Sequence, residues 1–175
     1  AEPYRFGFVR GPLQRQQWAA RSLARGRAVL SSASMQFDRG LAAFRSGQYR
    51  TAVKYFKLSS ELNQGDPAAM IYSAHALFAI GRYREGTAFL RKAFALEPRI
   101  AMLTYDMRDD YPDKAEFDRQ VRALYNAITA SPYDMDRLVM LGYVYSYSDR
   151  VNLAFKVLTR ARAIDPRDNL VKLLY

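Results

Sequence analysis

From about residue 33 onward, apolar positions recur at helical spacing and are interrupted at short, regular intervals. Ala43 and Phe44 end one apolar face, Ser46, Gly47 and Gln48 break it, and Ala52, Val53 and Phe56 resume it. Met70, Ala74 and Leu77 share the next face, Gly81 breaks it, and Leu90, Ala93 and Phe94 continue. Further on, Leu138, Leu141, Gly142 and Tyr145 lead to Ser148 and Asp149, then Ala154, Leu158 and Ala161. Each stretch predicts a helix, a short turn and a second helix, and together they predict an all-α chain.

The breaks keep a fixed interval. Gly47-Gln48-Tyr49 and Gly81-Arg82-Tyr83 lie 34 residues apart, as do Pro98, Pro132 and Pro166, each with a small residue five positions earlier (Ala93, Ala127, Ala161). One register divides the chain into segments 33–66, 67–100, 101–134 and 135–168. Self-similarity at this period signals a stack of helical hairpins. Small residues let paired helices approach closely, large ones fill the gap to the next pair, and proline punctuates the ends.

The third segment departs most from the others. Arg108, Ala115 and Gln120 stand where the others carry small or turn residues, and the stretch from Met107 to Asp113 is acidic and contains Pro112. Proline restricts the residue before it, so a helix starting near 101 is expected to end by Tyr111, and a second to run from about 114 to 130. This predicts a distorted, acidic turn within the stack. Two readings stay open: a drifted repeat with unchanged packing, or an acidic edge that meets a partner.

The ends differ again. Residues 1–12 read as an extended arm, and 13–32 as a helix with Ala19, Leu23, Gly26 and Leu30 on one face, expected to cover the first hairpin. Residues 169–175 read as the start of a C-terminal capping helix, or of a continuing chain.

The pattern resembles the tetratricopeptide repeat family. Its small, turn, aromatic, small, small and proline positions fall here on Gly40, Gly47, Tyr49, Ala52, Ser59 and Gln64 in the first segment. In the second they fall on Ala74, Gly81, Tyr83, Gly86, Ala93 and Pro98, and in the fourth on Gly142, Asp149, Val151, Ala154, Ala161 and Pro166. The third keeps only Phe117, Leu124, Ala127 and Pro132. The resemblance implies a right-handed superhelix of antiparallel helix pairs over residues 33–168. It also implies a concave groove lined by Phe37, Leu41, Phe44 and Arg45, by Ile71, Tyr72, His75 and Phe78, by Tyr105 and Asp109, and by Tyr143 and Tyr147. A strip this apolar and aromatic suits an extended peptide or an amphipathic helix. The family's sub-class that grips C-terminal carboxylates needs cationic donors where this chain has Phe37, Leu41, Ile71 and His75, so that activity is disfavoured. The arm's Phe6, Phe8 and Val9 are an alternative filling for the groove, and self-association through the groove or terminal repeats is a further option.

Charge adds a second theme. The chain has a formal net charge of +10, and its first 30 residues carry Arg5, Arg10, Arg15, Arg21, Arg25 and Arg27 against Glu2 alone. A basic arm attracts nucleic acid, an anionic surface or an acidic partner, or serves as a solubilising flank. The 175 residues contain no cysteine and one histidine, His75, so no thiolate chemistry or Cys/His metal site is available. Asp106, Asp109, Asp110 and Asp113 are dense but lack the glycine and final glutamate of a calcium loop. No phosphate loop, nucleophile elbow or His–carboxylate set is present, and no apolar run is long enough to span a membrane. The expectation is a protein-binding scaffold, with no enzyme activity and no cofactor; nucleic-acid binding through the arm is the less favoured alternative. The start at Ala1-Glu2-Pro3 and the missing cysteine lean towards an exported protein.

Overall fold

The structure, a computed structural model, describes residues 12–175 in backbone and the side chains from residue 20 onward. The expected arm, with Arg10 and the groove-filling candidates Phe6, Phe8 and Val9, lies outside the described residues, as does the side chain of Arg15. Eight α-helices follow in order among the described residues: α1 (Pro12–Arg45), α2 (Tyr49–Leu62), α3 (Pro67–Ala79), α4 (Tyr83–Leu96), α5 (Lys114–Ala130), α6 (Met135–Ser146), α7 (Val151–Ile164) and α8 (Asn169–Leu174). Two short 3-10 turns, Pro98–Met102 and Met107–Asp110, separate α4 from α5. No strand occurs among the described residues.

Three hairpins, α1/α2, α3/α4 and α6/α7, share one turn geometry. Gln48 N–H reaches Ala43 O at 2.8 Å, Arg82 N–H reaches Leu77 O at 2.9 Å, and Arg150 N–H reaches Tyr145 O at 3.2 Å. The residue before each donor is left-handed: Gly47 at φ 73°, Gly81 at φ 78° and Asp149 at φ 57°. Glycine reaches this region without a Cβ clash, and Asp is among the few other residues that tolerate it. The small–large pairs then close the hairpins. A Cβ on Gly40 would meet the Phe56 ring at 2.5 Å, and one on Gly142 would meet Leu158 Cδ2 at 2.4 Å.

Helix starts are marked by aspartates. Asp66 accepts from Ala68 N–H at 2.9 Å ahead of Pro67, Asp113 from Ala115 N–H at 2.8 Å, and Asp134 from Arg137 N–H at 3.1 Å. These bonds satisfy amides that the first helical turn leaves without partners.

Two features differ from the sequence reading. The expected covering helix over 13–32 and the first helix of the repeat array are one uninterrupted helix, α1. No Gly or Pro stands between Gly26 and Gly40, so nothing breaks the helical run. Residues 20–31 are all exposed, so this part covers no hairpin.

The second difference is larger. The helix expected from about 101 to Tyr111 is absent, and residues 98–113 run as two 3-10 turns joined by extended backbone. A helix in register would have placed Arg108 where the other segments put Gly40, Ala74 and Gly142 in close contact, and Pro112 bars helical backbone at Tyr111. Asp106 instead accepts from the backbone N–H of Arg108 at 2.9 Å and pairs with its guanidinium. With that helix gone, α6 packs directly on α4. A Cβ on Gly86 would meet Met140 Cε at 2.6 Å, and Thr87 Oγ1 donates to Asp136 O at 2.8 Å. Arg91 ties the joint by pairing with Asp136 of α6 at 2.6 Å and with Asp168, the cap of α8, at 2.8 Å.

Candidate functional site: the concave face

The freed segment closes much of the expected groove. Met107 is fully buried, and its backbone N–H reaches Tyr147 O at 2.8 Å. Tyr111 inserts between hairpins, its ring 5.0 Å from Phe44, 5.9 Å from Tyr49 and 5.1 Å from Phe117. Tyr105 stacks on Tyr147 at 4.9 Å, and Tyr147 donates its hydroxyl to Ile100 O at 2.9 Å. From the first turn of α5, Phe117 reaches Phe78 at 6.1 Å.

The expectation of an open groove is therefore corrected residue by residue. Phe44, Ile71, His75, Phe78, Tyr143 and Tyr147 are buried and present no surface to a partner. Phe37, Leu41, Tyr72 and Tyr105 are half-buried, and Arg45 and Asp109 are exposed. Arg21, Arg25 and Arg27 are exposed on the projecting part of α1. The aromatic residues at groove positions hold the chain's own segment, so composition alone could not separate an internal seat from a binding surface.

A polar network runs through this layer. The hydroxyls of Tyr105 and Tyr143 lie 3.0 Å and 2.8 Å from His75 Nε2. Burial holds His75 down at about 4, against a small opposing pull from Asp110, so its ring is neutral near pH 7. Its Nδ1 is buried without a hydrogen-bond partner. A second proton would add charge and a buried N–H with nothing to receive it. Beside it, Tyr72 donates to Asp110 at 2.8 Å, and Arg45 reaches the same carboxylate at 3.4 Å. Burial first, and then Asp110, raises the Tyr72 phenol above its ordinary range.

The acidic turn disperses its charges. Asp106 serves Arg108, Asp110 serves Tyr72 and Arg45, and Asp113 caps α5, while Asp109 faces solvent. No cluster of three or more metal-ligating side chains occurs among the described residues. Met107, Tyr111 and Phe117 are not among the groove residues expected from the sequence, and Asp110 is expected only in the acidic turn. Pro112 and Arg108 signalled the lost helix, but nothing in the sequence said where the freed residues would lie.

No family model matches this chain. No curated protein matches it either. Among solved structures it is similar to the Arabidopsis OM64 TPR domain, at TM-score 0.44 and 12% identity over 83% of this chain and 93% of that one. It is also similar to a MamA double mutant (TM-score 0.39, 20% identity, 77% of this chain and 76% of that one). A third is a thermophilic TPR protein in Thermus thermophilus (TM-score 0.35, 18% identity, 81% and 79%). The fold is tetratricopeptide-like. The chain's own three hairpins, with their shared turn and small–large contacts, carry this likeness. No described helix is long and apolar enough to cross a membrane.

Proposed function

We propose that this chain is a non-catalytic protein-interaction scaffold that takes a partner's helix or peptide on the α1 side of its concave face. The deeper aromatic layer is internal packing, and the partner meets the rim and its extension along α1. One observation carries the reading. The face of α1 that α2 and α3 cover continues uncovered over residues 20–31, where Leu23 is 66% and Leu30 54% exposed. A row of exposed apolar residues on a projecting helix is a common mark of an interaction surface. Phe37, Leu41, Tyr72 and Arg45 extend the same side into the mouth of the groove.

The test is paired capture from a native lysate, with the full chain and a Leu30→Asp, Leu41→Asp variant. A discrete protein retained by the parent chain and lost by the variant, with unchanged helical spectra, supports the reading. Equal retention removes it. The second reading, nucleic acid or an anionic surface, draws on the same Arg-rich helix. Nuclease treatment that abolishes retention would favour it.

A further inference from the structure

One seam runs along the described length of α1. Leu23, Leu30, Phe37 and Phe44 recur every seven residues, and Gly26, Ala33 and Gly40 follow the first three at three-residue steps. Large and small residues alternating in this way form the face of a helix that packs another helix along its length.

In the body of the protein both kinds of position are in use. Phe56 of α2 lies over Gly40, as the 2.5 Å approach to a Cβ there records. Ser59 of α2 donates to Ala33 O at 2.9 Å. The Phe37 ring lies 5.5 Å from Phe56 and 5.3 Å from Tyr72 of α3. Over residues 20–31, about 18 Å of helix at roughly 1.5 Å per residue, the register is the same and nothing among the described residues covers it. A Cβ on Gly26 would meet no atom within 4 Å. The open stretch thus continues an interface that already seats a helix.

Charge narrows the occupant. From residue 3 to residue 37 the chain holds six Arg and no acidic residue. On a helical projection Arg27 falls beside the seam, while Arg21 and Arg25 fall on the side of the helix turned away from it. A second copy of this helix would set like charges against each other. A lipid surface would use an unbroken apolar stripe, whereas this one is notched by Gly26. We propose that Leu23, Gly26 and Leu30 seat an acidic amphipathic helix of a partner protein, a proposal that rests on the scaffold reading above. A large apolar side chain of that helix fills the notch at Gly26, as Phe56 fills the notch at Gly40. A flanking carboxylate pairs with Arg27, and the positive charge of Arg21, Arg25 and Arg27 together steers association.

The probe is a synthetic heptad peptide with Leu along its seam and Glu on both flanks. Binding to the full chain is read by fluorescence anisotropy, with a Lys-flanked counterpart as control. The acidic peptide should bind and gain helicity, and the Lys peptide should not. Gly26→Leu projects into open space, so it should leave the melting temperature unchanged or slightly raised and weaken peptide binding by roughly tenfold or more, because the close approach is lost. Replacing Arg21, Arg25 and Arg27 by Glu should reverse the peptide preference. Equal binding of the acidic peptide by Gly26→Leu would overturn the proposal, since it would mean charge attraction without a seat. So would recruitment to phosphatidylglycerol vesicles with no peptide binding, or a sedimenting dimer that Gly26→Leu dissolves. If the peptide fails to bind while the Leu30→Asp, Leu41→Asp variant still loses a captured protein, the scaffold reading stands and the acidic helix falls.

Discussion

The hydroxyl of Tyr105 lies 2.7 Å from that of Tyr143, and this contact fastens the irregular segment to α6 across the concave face. Tyr105→Phe removes the fastening but keeps the ring that stacks on Tyr147. The expected cost is about 1 kcal/mol, the usual net worth of one buried hydrogen bond. Urea unfolding should show a lower midpoint with unchanged slope. Hydrogen exchange should rise at Met107 of the same segment, whose amide bonds to Tyr147 at the end of α6.

His75 sets a pH dependence. Its folded value of about 4 lies below the ordinary 6.5 because of burial. Between those values the unfolded chain binds the extra proton and the folded chain does not. The histidine therefore costs no stability above about pH 6.5, and stability falls as the pH drops towards 4. The loss is about 2 kcal/mol by pH 5 on the linkage relation. Urea midpoints at pH 7 and pH 5 should separate for the parent chain, and the separation should shrink in His75→Gln even though that variant is less stable throughout.

Two glycines on one chain should respond in opposite ways. Gly142 sits under Leu158, where an added Cβ would lie 2.4 Å from Cδ2. Gly142→Leu should cost roughly 1–3 kcal/mol by overpacking. Gly26 lies in a helix with open space around it, so Gly26→Ala should be neutral or stabilising by up to about 1 kcal/mol. Thermal melts of both variants test the assignment of buried and open seam positions.

Arg91 joins three helices through Asp136 and Asp168. Asp168 is only 7% exposed in its side chain, so removing Arg91 strips its main counter-charge. Arg91→Met should destabilise by about 1–2 kcal/mol, discounted for the part of the guanidinium that solvent reaches. Faster proteolysis within residues 165–175 should accompany it, because α8 then loses its tie to α4.

Much of the fold was legible because its signals are local. Gly47, Gly81 and Asp149 mark turns through their left-handed backbone, and Gly40 with Phe56 or Gly142 with Leu158 mark close pairs through size alone. The joining of the expected covering helix to the first repeat was not read, although no Gly or Pro between Gly26 and Gly40 breaks the helical run. The closed groove was not legible. Phe44, His75 and Tyr143 have the composition of a binding surface, and only the path of residues 98–113 makes them a seat for Tyr105, Met107 and Tyr111. That path depends on contacts far apart in sequence, such as Met107 with Tyr147 and Asp110 with Arg45, which no periodicity encodes.

The placement of the partner surface on α1 is tested most directly by photocrosslinking from single positions in the full chain, in its native lysate. A benzophenone residue at Leu30 should capture a discrete protein, and one at Ala88, exposed on α4, should not. Capture from Ala88 with none from Leu30 would contradict an interaction face on α1 and move the binding surface to the α4 side of the molecule.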